Sequence, residues 1–153
     1  MGDLMTMTLS DDDYRRLLVL TFLGEWMVNA IRKEPDPSYG DAASRVYSFA
    51  KGTPLEMFTV FDGKIGEWAP SEKLESEAHP LIDEYDDKTF WEELTARLTE
   101  RDLISRHGER AVRSMRPDQR SRAAKVIAQA YAHEFEDRGL NRFFVDESPD
   151  RGS

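Results

Sequence analysis

A chain of 153 residues is long enough to bury a hydrophobic core, and we expect one domain. The absence of cysteine excludes disulfides, thiolate nucleophiles and thiolate metal ligands, and it fits a cytoplasmic protein. A net charge of −9 makes nucleic acid and anionic membranes unfavourable partners.

The longest apolar run, residues 17–31, predicts an N-terminal helix that begins after Ser10 and ends near Lys33. Its polar positions, Thr21, Glu25 and Asn29, form one narrow stripe. A helix that is apolar on nearly every side belongs at the centre of a bundle. The run is too short to span a membrane and contains a glutamate.

Two residues within this run carry specific expectations. Gly24 costs a helix about 1 kcal/mol relative to alanine, so we expect a second helix to cross closely there. If Glu25 is buried it needs a partner, and an arginine from residues 97–125 is the expected one.

The next segment of the chain is ambiguous. A second helix is predicted over residues 38–51, with Ser38 as its cap. Residues 53–68 then fit either a short helix that ends near Gly63 or a hairpin around the Asp62-Gly63 pair. The helix is the preferred interpretation.

The remaining elements are helical. Ser71 is predicted to cap a short helix that His79-Pro80 interrupts, and longer helices are predicted over residues 89–106 and 118–138. A short helix over 109–115 lies between them. The whole chain is therefore predicted to be mostly α, a compact bundle of five or six helices around the N-terminal helix, with an irregular or hairpin segment near 55–68. Residues 1–9 are expected to be a loose arm and residues 146–153 a disordered tail.

Charge is distributed unevenly along the sequence. Acidic residues dominate from Asp62 to Glu93, and basic residues dominate from Arg97 to Lys125. The favoured interpretation is that these two segments pair with each other. Alternatively, part of the basic segment stays free and binds an acidic protein surface. The candidate partner-binding residues are Arg106, Arg110 and Arg113, at i, i+4 and i+7.

A metal site is the one candidate for cofactor chemistry. In a continuous helix His79 and Asp83 would share a face, and Asp86 could add a further ligand for a divalent cation. Pro80 is expected to break that helix, and no metal-binding motif accompanies these residues. The structural interpretation is that His79 caps a helix and the acids face water.

No motif in the sequence indicates catalysis. There is no Gly-x-Ser-x-Gly elbow and no glycine-rich phosphate loop, so no cofactor is expected. The leading hypothesis is a non-enzymatic interaction or regulatory protein of the cytoplasm, which binds another protein or a second copy of itself. The alternatives are a metal-dependent enzyme that uses His79 and its neighbouring carboxylates, and an acidic protein that mimics nucleic acid.

Overall fold

The computed structural model describes residues 6–144, which form five α-helices and one two-stranded antiparallel hairpin. The helices are α1 (Asp11–Asn29), α2 (Pro37–Ser48), α3 (Glu72–His107), α4 (Glu109–Ser114) and α5 (Pro117–Arg138). The strands are β1 (Thr59–Asp62) and β2 (Glu67–Pro70). The predicted mostly-α fold with a short hairpin is confirmed.

The expected N-terminal arm and C-terminal tail lie largely outside the described residues. Residues 6–9 have no regular structure and are exposed. Within residues 6–144, no helix has both the length and the apolar composition that a membrane crossing requires.

The chain divides into two compact units, an N-terminal unit that ends at Tyr85 and a C-terminal unit that begins at Asp86. Helix α3 contributes to both. Leu18, Tyr47 and Leu74 belong to the core of the N-terminal unit. Leu103, Val112 and Ile127 form the core of the C-terminal unit. A single domain stays a prediction.

Both N-terminal helices begin at a capping side chain. As predicted, the Ser10 hydroxyl accepts a hydrogen bond from the backbone N–H of Asp13, at 3.2 Å. The predicted cap of α2 is wrong, because Asp36 accepts from the Ser38 N–H at 3.0 Å. Pro37 then occupies the first helical position, where its missing N–H costs no hydrogen bond.

Helix α1 buries only one of its sides. Leu18 is its one buried residue, and it packs with Tyr47 and Leu74. Leu20 exposes 64% of its surface and Met27 exposes 51%. Within the N-terminal unit this helix is therefore packed on the side that carries Leu18 and is not surrounded by partners.

Neither of the two specific expectations for this helix is met within the N-terminal unit. A Cβ atom built on Gly24 meets nothing within 4 Å, so no element of the N-terminal unit crosses α1 closely there. Glu25 is half-buried, and within the N-terminal unit its partner is the Tyr47 hydroxyl at 3.5 Å. Pairing with an arginine of residues 97–125 stays a prediction. Burial raises the pKa of Glu25, as does the nearby charge of Glu67, while the hydrogen bond from Tyr47 opposes them.

The ambiguous segment is a hairpin, so the preferred helical interpretation was wrong. Thr59 pairs with Pro70 and Asp62 with Glu67, and a four-residue turn joins the strands. The helix start at Thr53 yields only a 3-10 turn over Glu56–Phe58. β-branched and aromatic residues follow that turn, and they favour an extended backbone.

Helix α3 continues through Pro80 for 36 residues, although an interruption was predicted there. Proline inside a helix removes one backbone hydrogen bond and crowds the preceding turn. Leu74, Ala78 and Ile82, at spacing four, are all buried around it. Packing of this stripe in the N-terminal unit offsets the local cost of the proline.

The helix ends of the C-terminal unit lie close to their predicted positions. Helix α3 ends at His107, and Gly108 adopts a φ of 80° that alanine would adopt only with strain. Helix α5 begins at Pro117 and ends before Gly139. Two ring contacts of Phe135, with Trp91 at 5.2 Å and with Phe143 at 5.4 Å, hold the end of α5.

We expect Gly24→Ala to raise the free energy of unfolding by up to about 1 kcal/mol, because alanine has the higher helix propensity. Its added Cβ enters open space. The matched control, Gly108→Ala, should lower the free energy of unfolding because of its positive φ. Urea unfolding of dilute protein, followed by circular dichroism, measures both. A destabilised Gly24→Ala would show that another element contacts α1 at this position.

Candidate functional site

The candidate partner-binding arginines lie where α3 meets α4. Arg106 is in the last turn of α3, whereas Arg110 and Arg113 are on α4, and all three are exposed. Because Gly108 separates the helices, the spacing i, i+4, i+7 does not run along one helix. Only Arg110 and Arg113 keep the spacing of helical neighbours. We refer to these three residues as the arginine patch.

Buried side chains hold this junction in place. Val112 of α4 is 3% exposed and packs with Leu103 of α3 and Ile127 of α5. Met115, just after α4, packs against the same cluster. The backbone that carries the arginine patch is therefore anchored to two long helices, so it presents the guanidinium groups from a packed surface.

Six of the eight arginines in the basic segment, including Arg113 of the patch, have an acidic partner. The pairs are Arg97 with Glu93, Arg101 with Asp102, Arg113 with Glu109, Arg116 with Asp118, Arg120 with Glu100, and Arg122 with Asp118. The Arg120 pair joins α5 to α3 through contacts of 2.8 and 2.9 Å to the two carboxylate oxygens. Within residues 6–144, Arg106 and Arg110 form no ion pair.

The acidic partners come mainly from the basic segment itself. Within the C-terminal unit, Arg97 with Glu93 is the one described pair that joins residues 97–125 to residues 62–93. The ion pairs of the C-terminal unit therefore do not support the favoured interpretation, in which the acidic and basic segments pair with each other. Arg113 and Arg122 instead take the acid four residues earlier on their own helix, because helix geometry brings it closest.

A polar network lies beside Arg106. The Tyr131 hydroxyl of α5 donates to the Asp102 carboxylate of α3 at 2.6 Å. The Arg101 guanidinium donates to Asp102 and to the Tyr131 oxygen, both at 2.9 Å. Asp102, Arg106 and Tyr131 also line a groove of about 300 Å³ between the two helices.

This network holds Asp102 in its charged form. The hydrogen bond from Tyr131 lowers the pKa of Asp102, and Arg101 and Arg106 lower it further through their charges. The pKa of Tyr131 is raised by burial and by the neighbouring carboxylate. Tyr131 and Arg101 hydrogen-bond to Asp102, whereas Arg106 acts on this carboxylate through its charge and forms no ion pair with it. The sequence alone does not reveal this network, because nothing in local spacing links Asp102 to a tyrosine on another helix.

The candidate metal ligands do not form a site. His79, Asp83 and Asp86 are exposed along α3. The His79 ring packs edge-on against Phe22, with 5.7 Å between ring centroids. The suggested capping role of His79 is wrong, since α3 begins at Glu72. Within residues 6–144, no three histidine, aspartate or glutamate side chains converge in an arrangement that could hold a metal ion.

The sequence did not indicate a second candidate surface, on α1, because residues 17–31 as a whole are apolar enough to be buried. Leu20, Gly24, Met27 and Ile31 recur at spacings of three and four, which places them along one side of α1 and the turn after it. All four are exposed, and Ile31 is 95% exposed. We call these four residues the α1 face.

Comparisons with known proteins add no assignment to either surface. No family model, no curated protein and no solved structure matches this chain. The function is therefore argued from the arginine patch itself.

We expect Tyr131→Phe to raise the pKa of Asp102 toward the ordinary aspartate value, because the strongest hydrogen bond to the carboxylate is lost. A lowered pKa in the folded state stabilises the protein above the unfolded-state pKa, and this stabilisation disappears as the pH falls through the folded-state pKa. The wild type should therefore lose more stability on acidification than Tyr131→Phe does.

NMR titration of the Asp102 side-chain carbon and urea unfolding at several pH values measure these two effects. Tyr39→Phe is the matched control, since it removes an exposed hydroxyl in the N-terminal unit. An unchanged Asp102 pKa in Tyr131→Phe would show that the hydrogen bond does not form in solution.

Proposed function

We propose that this chain is a non-enzymatic interaction or regulatory protein of the cytoplasm, and that its arginine patch binds an acidic surface of another protein. One observation carries the proposal. Arg106 and Arg110 are exposed and form no ion pair within residues 6–144, whereas six other arginines of the basic segment are paired.

The chemistry of the guanidinium group favours an acidic protein partner. Its planar fork donates two parallel hydrogen bonds to one carboxylate, and arginine is enriched in protein interfaces for this reason. A nucleic-acid partner would also present anions to the patch. The net charge of −9 opposes the approach of such a polyanion at long range, so a protein with a local acidic patch fits better.

The patch also contains a negative charge that discriminates among acidic partners. Glu109 pairs with Arg113, so one guanidinium is partly neutralised and one fixed negative charge lies within the patch. A carboxylate that approaches Arg106 or Arg110 is attracted, whereas one that approaches Glu109 is repelled. This arrangement favours partners whose acidic residues match the two open arginines.

We expect Arg106→Glu with Arg110→Glu to weaken binding of an acidic partner by at least about tenfold, since two charge contacts become repulsive. Affinity capture from a cytoplasmic extract identifies candidate partners, and titration calorimetry with each purified partner gives the dissociation constant. Binding by the wild type should also weaken as salt is added, because the contacts are exposed.

The matched control is Arg97→Glu with Arg122→Glu, which makes the same change in net charge at exposed arginines outside the patch. Nuclear magnetic resonance of the arginine Nε–H groups provides a direct readout with a polyglutamate peptide as probe. The signals of Arg106 and Arg110 should shift more than that of Arg120. Full binding by the patch variant, or equal weakening by the control, would refute the proposal.

A further inference from the structure

A groove of about 520 Å³ lies between α3 and α5 in the C-terminal unit, and no residue of the arginine patch lines it. Trp91 contacts Phe135 and Leu103 packs with Ile127, so the two helices run antiparallel here. A groove of this volume is within the range of sites that hold small organic molecules. We call it the α3–α5 groove, and its lining includes Trp91, Glu92, Ala96, Ala132, Phe135 and Glu136.

An aromatic pair and two carboxylates mark one end of the α3–α5 groove. The Trp91 ring lies against the Phe135 ring, with 5.2 Å between their centroids. Glu92 and Glu136 follow these two residues directly in sequence and line the groove, so both carboxylates belong to the same end. The Trp91 indole N–H donates to Asp87 at 3.1 Å, which fixes the orientation of the ring. This end therefore offers negative charge and aromatic rings together.

The rest of the α3–α5 groove is apolar and formed by short side chains. Ala96 follows Glu92 by four residues and Ala132 precedes Glu136 by four, so each lies one helical turn from the acidic end. Ala128 lies one turn further along α5 and also lines the groove. Two turns of helix span about 12 Å. Since alanine side chains are short, an unbranched hydrocarbon chain can lie along this part of the groove.

Local charge favours a cation at the acidic end. Residues 86–97 and 133–142, which surround this end, carry seven acidic side chains and four basic ones. Three of the four basic side chains pair with glutamates that do not line the groove, and they are Arg97, Arg138 and Arg142. The fourth, Lys88, lies 3.8 Å from Glu92. Glu136 forms no ion pair in the described part of the chain.

We propose that the α3–α5 groove binds a small organic cation with an apolar chain, of the alkylammonium class. The ammonium group lies beside Glu92, Glu136 and Trp91, where carboxylates and an aromatic ring both attract it. The chain lies along the alanines and is removed from water. Lys125, one turn before Ala128, disfavours the reverse orientation. The arginine patch takes no part, so this site does not depend on the proposed function.

Titrations with three probes of similar shape test the preference for a cation. Hexylammonium, hexanol and hexanoate share one chain length and differ in the charge of the head group. The wild type should bind hexylammonium at least about tenfold more tightly than hexanol, and hexanoate more weakly still. Nuclear magnetic resonance of the Trp91 indole N–H measures binding, because this ring lines the groove.

Neutralising the two carboxylates should remove the preference for a cation. Glu92→Gln with Glu136→Gln should bind hexylammonium no more tightly than hexanol, and the exposure of both residues leaves the fold intact. The matched control, Glu72→Gln with Glu109→Gln, makes the same change in net charge at exposed glutamates outside the groove. It should keep the preference of the wild type.

Filling the apolar part of the groove should prevent binding. Ala132→Leu should abolish the shift of the Trp91 signal with all three probes, because the larger side chain occupies the space of the hydrocarbon chain. Ala130→Leu is the matched control, since Ala130 is an exposed residue of α5 that does not line this groove. It should bind hexylammonium as the wild type does.

Four results would overturn the proposal. They are a wild type that does not bind hexylammonium, equal binding of the three probes, a preference for the cation that survives Glu92→Gln with Glu136→Gln, and full binding by Ala132→Leu. Arg106→Glu with Arg110→Glu should bind hexylammonium normally, so failure of the arginine patch proposal would be distinguishable from failure of this one.

Discussion

Burial of Leu18 against Tyr47 and Leu74 decides how the N-terminal unit presents α1. This contact selects one side of an almost uniformly apolar helix for the core, and the hydrogen bond from the Tyr14 hydroxyl to the Val46 carbonyl, at 2.6 Å, fixes α1 on α2 from the same side. Since side chains repeat every 3.6 residues, the opposite side then lies outside the core of the N-terminal unit. The exposure of the α1 face is therefore a consequence of the core and not a separate feature of the sequence.

The two candidate surfaces use different physical forces. The α1 face offers apolar area, so its binding would be driven by removal of side chains from water and would persist in salt. The arginine patch offers two open guanidinium groups, whose attraction to carboxylates is local, directional and screened by salt. Each surface lies in a different unit, and each can be disrupted by substitutions of exposed residues that leave the cores intact.

Local chemistry made part of the fold predictable, while tertiary packing decided the rest. The cap at Ser10, the stop at Gly108 and the start at Pro117 depend on residues adjacent in sequence, and they were predicted closely. Continuation of α3 through Pro80 depends on a buried stripe, which local rules do not weigh. For the candidate site, the sequence indicated the arginine patch, because a run of one charge is visible without a structure. The α1 face was hidden, since hydrophobicity alone does not say which side of a helix finds a partner.

The central claim is that the α1 face is open in the folded single chain, and thiol labelling tests it directly because the chain has no cysteine of its own. Gly24→Cys should react with a thiol reagent at nearly the rate of the unfolded protein when the protein is dilute. Ala43→Cys, at a buried position of α2, provides the protected reference. Equal protection of the two cysteines in dilute, folded protein would contradict the account, because it would show that a part of the same chain covers α1.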